Sequence, residues 1–327
     1  MNQNQGLLSS GFSMVMRNKR YIWWFWLLNL TLAEFATAAF RRSAHAIMDH
    51  SLYSRGLTHG FDMGVLIDLL IRPDFGHMNS MTTPALYFGF LFFLATAIFL
   101  PGILAGYAST YRLPREDFFR ACGRNLWRFI RIMIVAGIVM GILTGALSAA
   151  IGAIVKKAGD STNELLPFEL QMTCLAVMFL IMTTMRIWFD LAEADTVLND
   201  QRAVRKSIAT AFKHTFRSLG RLLTSYVIST IVAALLLAGG LLTWEKFVSP
   251  ESIFGAFAIG QITLLLLLIP RFWQRGIAVS YWQQRMLVPV VAMHSAEVPP
   301  AAIAPVPVME PAPIVAASPA PPTEAPQ

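Results

Sequence analysis

The sequence predicts an all-α integral membrane bundle of about six transmembrane helices, with two basic amphipathic helices at the membrane interface. Its 327 residues are 55% hydrophobic and only 14% charged, whereas a soluble protein of this length needs more charge on its surface. Six apolar runs are long enough to cross about 30 Å of hydrocarbon. They lie near residues 21–40, 84–107, 130–155, 168–190, 222–243 and 253–272.

The distribution of charge predicts the topology of these spans. If the N-terminus is cytoplasmic, 19 of the 26 Lys and Arg residues fall in cytoplasmic segments. Because short cytoplasmic loops carry an excess of Lys and Arg, we expect both termini to be cytoplasmic. The tryptophans lie near the ends of the predicted spans, as interfacial residues do. We therefore expect a cytoplasmic N-terminus at residues 1–20, a six-span domain at 21–285, and a cytoplasmic tail at 286–327.

The first span contains one acidic residue, Glu34. An ionised carboxylate within a membrane usually faces protein or water. We interpret Glu34 as an intramembrane polar residue that packs near the outer interface. A proton or ion site is the alternative.

Residues 41–82 form the longest predicted outer segment. Residues 61–73 within it are apolar but too short to span, which favours a surface-lying or re-entrant helix. His45, Asp49 and His50 are close enough in sequence to suggest an outer metal site. No HExxH motif accompanies them, so we interpret them as interfacial polar residues and expect no metal.

Two segments have the pattern of a basic amphipathic helix. In residues 204–223, apolar residues recur every three or four positions, which is typical of one helix face. Residues 118–130 repeat this pattern, so the chain contains two similar units in parallel orientation. We expect both helices to lie on the bilayer with their cations bound to anionic lipid headgroups. A solvated helix packed on its neighbours is the alternative. The candidate headgroup-binding residues are Arg120, Arg124, Arg128, Arg131, Lys206, Lys213, Arg217 and Arg221.

The third predicted span carries Gly137, Gly141 and Gly145, each four residues apart. Small residues at this spacing let another helix approach closely. We therefore expect this span to be the centre of the bundle, with self-association as the alternative role for the same face.

The fourth predicted span ends in two residues of opposite charge, Arg186 and Asp190, one helical turn apart. Because an arginine in the bilayer needs a partner, we expect these intramembrane polar residues to form an ion pair. Further acidic residues follow at Glu193, Asp195 and Asp200. We expect this acidic patch to hold the second basic helix by ion pairs rather than to bind a cation.

The last 42 residues differ in composition, because residues 286–327 hold 11 of the 18 prolines. Such a segment is typical of an extended, disordered tail. It can serve as a bare tether or present a proline-rich ligand to protein partners.

The sequence contains no glycine-rich phosphate loop, no serine elbow and no CxxC pair. We therefore expect no cofactor and no catalytic residues. Nucleic acid is not an expected partner, because the cations lie beside membrane spans.

Residues 186–229, with a weaker echo at 117–131, resemble the membrane domain that precedes the catalytic domain in some bacterial glycerophosphodiester phosphodiesterases. The chain lacks a soluble hydrolase domain, so the resemblance implies a helical membrane protein and not that activity. The resemblance also implies that the protein lies in a bacterial inner membrane. We expect a non-enzymatic, membrane-organising or envelope-maintenance protein that engages anionic lipid or protein partners. A transporter of lipid or small solute is the first alternative, and an outer-face metal-dependent enzyme is the second.

Overall fold

The computed structural model describes residues 6–48, 64, 67, 78–109, 111–159, 165–249 and 252–296. Within these ranges the regular structure is helical and no strand occurs, so the predicted all-α class is confirmed. Eight helices cover the described ranges. They are α1 (Leu7–Arg17), α2 (Arg20–Met48), α3 (Met78–Ala108), α4 (Arg115–Gly159), α5 (Leu166–Leu198), α6 (Val204–Arg217), α7 (Leu219–Phe247) and α8 (Ile253–Ala296).

Five of the described helices, namely α3, α4, α5, α7 and α8, are long and apolar enough to cross a membrane. The chain therefore has the architecture of a multi-pass helical membrane protein. The predicted first span, residues 21–40, lies in α2, whose 29 residues are also long enough. It is not among the five, because Asn29, Glu34 and the tryptophans make its sequence less apolar.

The buried residues are concentrated at one end of the helices, which we call the packed end. It comprises residues 7–25, 96–107, 118–132, 183–197, 207–229 and 268–282. By contrast, only 6% of the most apolar window of α4 or of α7 is buried. The core therefore lies at the end that the charge distribution predicted to be cytoplasmic, and the apolar parts of the spans are left for lipid to cover.

The packed end includes α1, which lies within the expected cytoplasmic N-terminus at residues 1–20 and was not predicted as a helix. One face of α1 is buried, and Trp273 of α8 donates a 2.8 Å hydrogen bond from Nε1 to the Leu8 carbonyl. The backbones of Gly11 and Gly276 lie so close that a Cβ on Gly276 would be 2.6 Å from the Gly11 oxygen. Glycine at both positions is what lets α1 dock directly on α8.

The first predicted basic helix is not a separate element. Residues 115–131 are the N-terminal part of α4, which continues without a break for 45 residues. At about 1.5 Å per residue, such a helix is roughly twice as long as the hydrocarbon is thick. No glycine or proline interrupts residues 124–136, so the basic segment extends the span along its own axis and does not lie flat. Only α6, which ends at Arg217 before α7 begins at Leu219, is a discrete basic helix.

The prediction that the α4 glycines form the centre of the bundle is wrong. Gly137, Gly141 and Gly145 have no atom within 4 Å of an added Cβ, so no helix approaches them within the described residues. The close approach occurs instead at α3. A Cβ on Gly102 would meet Cys122 Sγ at 2.6 Å, and a Cβ on Gly106 would meet Tyr21 Oη at 2.6 Å.

The compact unit of the chain is Met1–Arg285, and a second unit begins at Met286. Helix α8 nevertheless ends at Ala296, so the first residues of the expected tail are helical. Ten of the eleven tail prolines lie at residue 299 or beyond, which leaves residues 286–296 able to continue a helix. Residues 297–327, on which the prediction of a disordered tail mainly falls, are outside the described residues.

Candidate functional site

Helix α6 packs mainly through small residues, and its two phenylalanines are not among the packed side chains. Ser207, Ala211 and Thr215 are fully buried, each one helical turn from the next. Thr215 donates its hydroxyl proton to the Ala211 carbonyl at 2.8 Å, so the buried hydroxyl is satisfied within the helix. Small side chains at i, i+4, i+8 let a helix lie close to its neighbours.

As a result, the two phenylalanines of α6 remain on the outside, whereas Ile208 is partly buried against the core. Phe212 is 45% exposed and Phe216 is 48% exposed, and their ring centroids lie 4.5 Å apart. Phe212 also meets the ring of Trp188 at 5.2 Å in an edge-on arrangement. Trp188 is fixed in turn by a 2.8 Å hydrogen bond from its Nε1 to the Ile208 carbonyl. The two phenylalanines of the predicted apolar stripe are therefore not packed into the interior of the described residues.

The exposed cations of α6 lie next to these rings. Successive residues are rotated by about 100° around the helix axis. Seen along this axis, Lys213 is the next of these cations around from Phe216, and Lys206 and Arg217 lie beside Lys213. All three are exposed and have no carboxylate partner in the described part of the chain. The exposed side of α6 thus has the two phenylalanines at one edge, with exposed Arg205 at their angular position in the first turn, and these three cations at the other edge. We call it the basic-aromatic face and define it as Lys206, Phe212, Lys213, Phe216 and Arg217.

Arg221, at the start of α7, has a different role. Its Nη2 donates a 3.3 Å hydrogen bond to Gln284 Oε1 of α8, although the side chain remains exposed. Of the four predicted headgroup-binding cations in this segment, three therefore lie on α6, namely Lys206, Lys213 and Arg217.

The four predicted lipid-binding cations of α4 are engaged within the protein. Arg120 pairs with Asp117 at 3.3 Å, and Arg131 lies over the Trp127 ring at 5.1 Å. Arg124 and Arg128 both reach Asp200, at 3.8 Å and 2.6 Å. These contacts tie Arg124 and Arg128 to the turn that follows α5.

The sequence suggested that Asp200 holds α6 by an ion pair. In the structure, its ion pairs are instead with Arg124 and Arg128 of α4. It follows α5 and has a positive φ of 48°, a conformation that Asp tolerates better than most residues. From this turn its carboxylate faces α4. The hydrogen bond from Arg128 lowers the pKa of Asp200 below its ordinary value, and the charge of Arg124 acts in the same direction.

The interior of the packed end contains a second polar group, around Asp190. The pair predicted from sequence spacing is present, with Arg186 Nε 3.8 Å from Asp190 Oδ2. Sequence reasoning did not identify Tyr226 of α7, whose hydroxyl donates a 2.9 Å hydrogen bond to the same oxygen. Glu193, which is 7% exposed, has one carboxylate oxygen buried without a hydrogen-bond partner.

Two other predicted sites are not assembled by the structure. Glu34 was expected to pack near the outer interface. It is exposed on α2 and pairs with Arg41 at 3.3 Å, two turns along the same helix. His45 is exposed near the end of α2, whereas Asp49 and His50 lie outside the described residues. The described residues contain no group of three His, Cys, Asp or Glu side chains placed to hold a metal ion.

Comparison of the chain with models of protein families, with curated proteins and with solved structures gives no match. The assignment of function therefore depends on the geometry. The described site offers an exposed aromatic pair with adjacent cations, at the end of a helix joined to a membrane span.

Proposed function

We propose that this protein is a non-enzymatic, multi-pass protein of a bacterial inner membrane that engages anionic lipid through the basic-aromatic face of α6. Its role in this proposal is to organise the membrane or maintain the envelope. The observation that carries the proposal is that Phe212 and Phe216 are exposed beside Lys213 and Arg217, while the small residues of α6 are buried.

A solvated helix packed on its neighbours would have the opposite arrangement, with its phenylalanines buried and its hydroxyl residues outside. Aromatic rings are instead stabilised at the boundary between hydrocarbon and headgroups. Each cation close to an anionic surface contributes about 1 kcal/mol, which salt screens. The three cations and two rings of the face are thus suited to the same boundary.

The position of α6 in the chain supports this boundary location. Only Ser218 separates α6 from α7, a helix that is apolar enough to span the membrane. This connection holds α6 at the end of a span. The positive-inside rule supports a cytoplasmic location for this end, where anionic lipids give the leaflet a negative surface potential.

A lipid-retention experiment tests the proposal. The full chain is purified in a mild detergent, and the retained phosphatidylglycerol and cardiolipin are quantified relative to phosphatidylethanolamine. Reversal of Lys206, Lys213 and Arg217 to Glu should reduce the retained anionic fraction several-fold and weaken its dependence on salt, because about 1 kcal/mol per cation is removed.

The matched control reverses three exposed lysines at the opposite ends of the spans, Lys156, Lys157 and Lys246. It changes the net charge by the same amount. Equal lipid retention in the two triple variants would contradict the proposal, because retention would then depend on net charge and not on α6.

A transporter of lipid or small solute is the second candidate, and one observation favours it. Glu193 is buried with an unpartnered oxygen in the same region as Arg275, close enough for an electrostatic interaction. A Glu193→Gln variant that folds normally and abolishes a proton-coupled solute flux in vesicles would favour this alternative. Equal flux in native and variant vesicles would exclude a role for Glu193.

A further inference from the structure

The corner between α1 and α2 borders an open cleft of about 260 Å³. Its lining residues are Arg17, Lys19, Arg20, Trp23 and Arg112. Four of these five side chains are cationic and none is acidic. Drug-sized ligands occupy pockets of roughly 300–1,000 Å³, so a cleft of this volume suits a smaller group, such as a single anion or headgroup.

Two of the arginines are held in place by neutral backbone oxygens. Arg17 Nη2 donates to the Ser109 carbonyl at 2.6 Å and to the Tyr107 carbonyl at 3.4 Å. Arg20 Nη2 donates to the Leu113 carbonyl at 2.8 Å and to Tyr21 Oη at 3.0 Å. These bonds fix the guanidinium groups but leave their positive charge uncompensated.

The other two cations have no such contacts. The side chains of Lys19 and Arg112 are exposed and form no hydrogen bond or ion pair within the described residues. None of the four cations has a carboxylate within ion-pair distance in that part of the chain. In addition, Arg20 Nε is buried without a hydrogen-bond partner.

Trp23 indicates at which level of the membrane the cleft lies. Its side chain is 53% exposed and meets Trp26 edge-on at 5.7 Å, at the start of α2. Tryptophan is favoured at the membrane–water boundary, where its ring is apolar and its N–H stays wet. The four cations therefore face the level at which lipid phosphates lie.

We propose that this cleft binds one phosphate group at the membrane boundary. Guanidinium groups form two parallel hydrogen bonds with phosphate oxygens, and additional cations stabilise the multiple negative charge of the ligand. Arg17 and Arg20 supply the fixed donors, whereas Lys19 and Arg112 supply mobile charge. The cleft shares no residue with the basic-aromatic face of α6, so the two proposals stand or fall separately.

The test is a calorimetric titration of the full chain in a non-ionic detergent with two probes. Inorganic phosphate represents a free anion, and short-chain dihexanoyl phosphatidic acid represents a lipid headgroup. Dihexanoyl phosphatidylcholine, whose headgroup has no net charge, is the control ligand. We expect saturable binding of one molecule of an anionic probe per chain and at least tenfold weaker binding of the zwitterionic phosphatidylcholine.

The decisive variant is Lys19→Gln with Arg112→Gln, because neither side chain has an internal contact to lose. It should bind the preferred probe at least about tenfold more weakly and keep the thermal stability of the native chain. The matched control, Lys156→Gln with Lys157→Gln, should bind as the native chain does. If the double variant loses stability, each single substitution is measured and should give a several-fold loss.

The choice of probe identifies the source of the phosphate. Tighter binding of phosphatidic acid assigns a lipid headgroup, and equal or tighter binding of inorganic phosphate assigns a soluble anion. The proposal is overturned if neither probe binds saturably, or if the Lys19 and Arg112 substitutions leave binding unchanged.

Discussion

Arg128 donates a 2.6 Å hydrogen bond to Asp200, which lies 72 residues farther along the chain. Arg128 is only 17% exposed and also donates to Asn125 Oδ1 at 3.1 Å. The bond ties the beginning of α4 to the turn that connects α5 with α6. A cation that the sequence assigned to lipid thus helps to fix the position of α6.

We expect Asp200→Asn to lower the free energy of unfolding by at most about 1 kcal/mol, because the carboxylate is half exposed and solvent screens the pair. Asn tolerates the positive φ at this position, so the change removes charge without adding backbone strain. Asp117→Asn, which breaks the more exposed pair with Arg120, is the control and should have a smaller effect. Thermal unfolding in detergent measures both. A larger loss for Asp117→Asn would contradict the structural role of Asp200.

Tyr226→Phe should destabilise the packed end more strongly. The substitution removes the 2.9 Å hydrogen bond to buried Asp190 and leaves that carboxylate with only the longer contact to Arg186. A hydrogen bond to a charged group contributes about 1.5–3 kcal/mol. Tyr111→Phe removes the hydroxyl of an exposed tyrosine and should have no measurable effect. Equal melting temperatures for the two variants would mean that the bond to Asp190 contributes nothing.

A pair of glycine substitutions distinguishes the observed packing from the one that the sequence suggested. In Gly102→Ala the added methyl group meets Cys122 and Phe118 at less than 3 Å, so we expect a loss of about 1–3 kcal/mol. Gly141→Ala adds a methyl group in open space on α4 and should be neutral or stabilising by up to about 1 kcal/mol. Protein abundance and thermal stability report the difference. A larger loss of stability for Gly141→Ala than for Gly102→Ala would contradict the observed packing and favour α4 as the centre of the bundle.

His214 should make the stability of the packed end depend on pH. Its ring meets Trp282 at 4.8 Å, and its Nδ1 is buried without a hydrogen-bond partner. Burial lowers the pKa of His214 below its ordinary value of 6.5, and Arg285 of α8 also lowers it. The negative charge of Asp195 of α5 raises the pKa of His214, whereas the positive charges of Arg217 and Lys213 of α6 lower it.

Because the unfolded chain takes up this proton at a higher pH than the folded one, stability should fall as pH decreases through about 6.5. His214→Gln cannot take up the proton and should lose less stability between about pH 7.5 and pH 5.5 than the native chain. Thermal unfolding across this range is the measurement. If both proteins lose the same stability, His214 is not the group that titrates.

The long apolar helices could be predicted from the sequence, because an apolar run of about 18 residues or more is itself the signal of a spanning helix. The five apolar spans and the discrete helix before Leu219 follow from such patterns. Which glycines are packed could not be predicted. Gly102 and Gly141 both lie in apolar helices with small residues at four-residue spacing, and only tertiary contacts decide which of them is covered.

The candidate site was predicted only in part for the same reason. Lys206, Lys213 and Arg217 are exposed as expected, and so are Phe212 and Phe216 of the apolar stripe. Which face of α6 packs against the protein could not be predicted. A second stripe, of Ser207, Ala211 and Thr215, has the same four-residue spacing and turned out to be the buried one. In a soluble protein the larger apolar stripe would be buried, whereas a helix at a membrane can expose that stripe to lipid.

The central claim is that the basic-aromatic face of α6 lies against an anionic bilayer, and the accessibility of a spin label tests it most directly. Ala209 is exposed between Phe216 and Lys213 on the helix surface, and Arg202 is exposed just before α6. Each position is changed to Cys in a chain whose Cys122 and Cys174 are replaced by Ala. The labelled proteins are then reconstituted in vesicles of phosphatidylethanolamine and phosphatidylglycerol. A label at position 209 should be more accessible to oxygen than to a water-soluble nickel complex, and a label at position 202 should show the reverse. If the nickel complex reaches position 209 as readily as position 202, α6 faces water and the proposed function is contradicted.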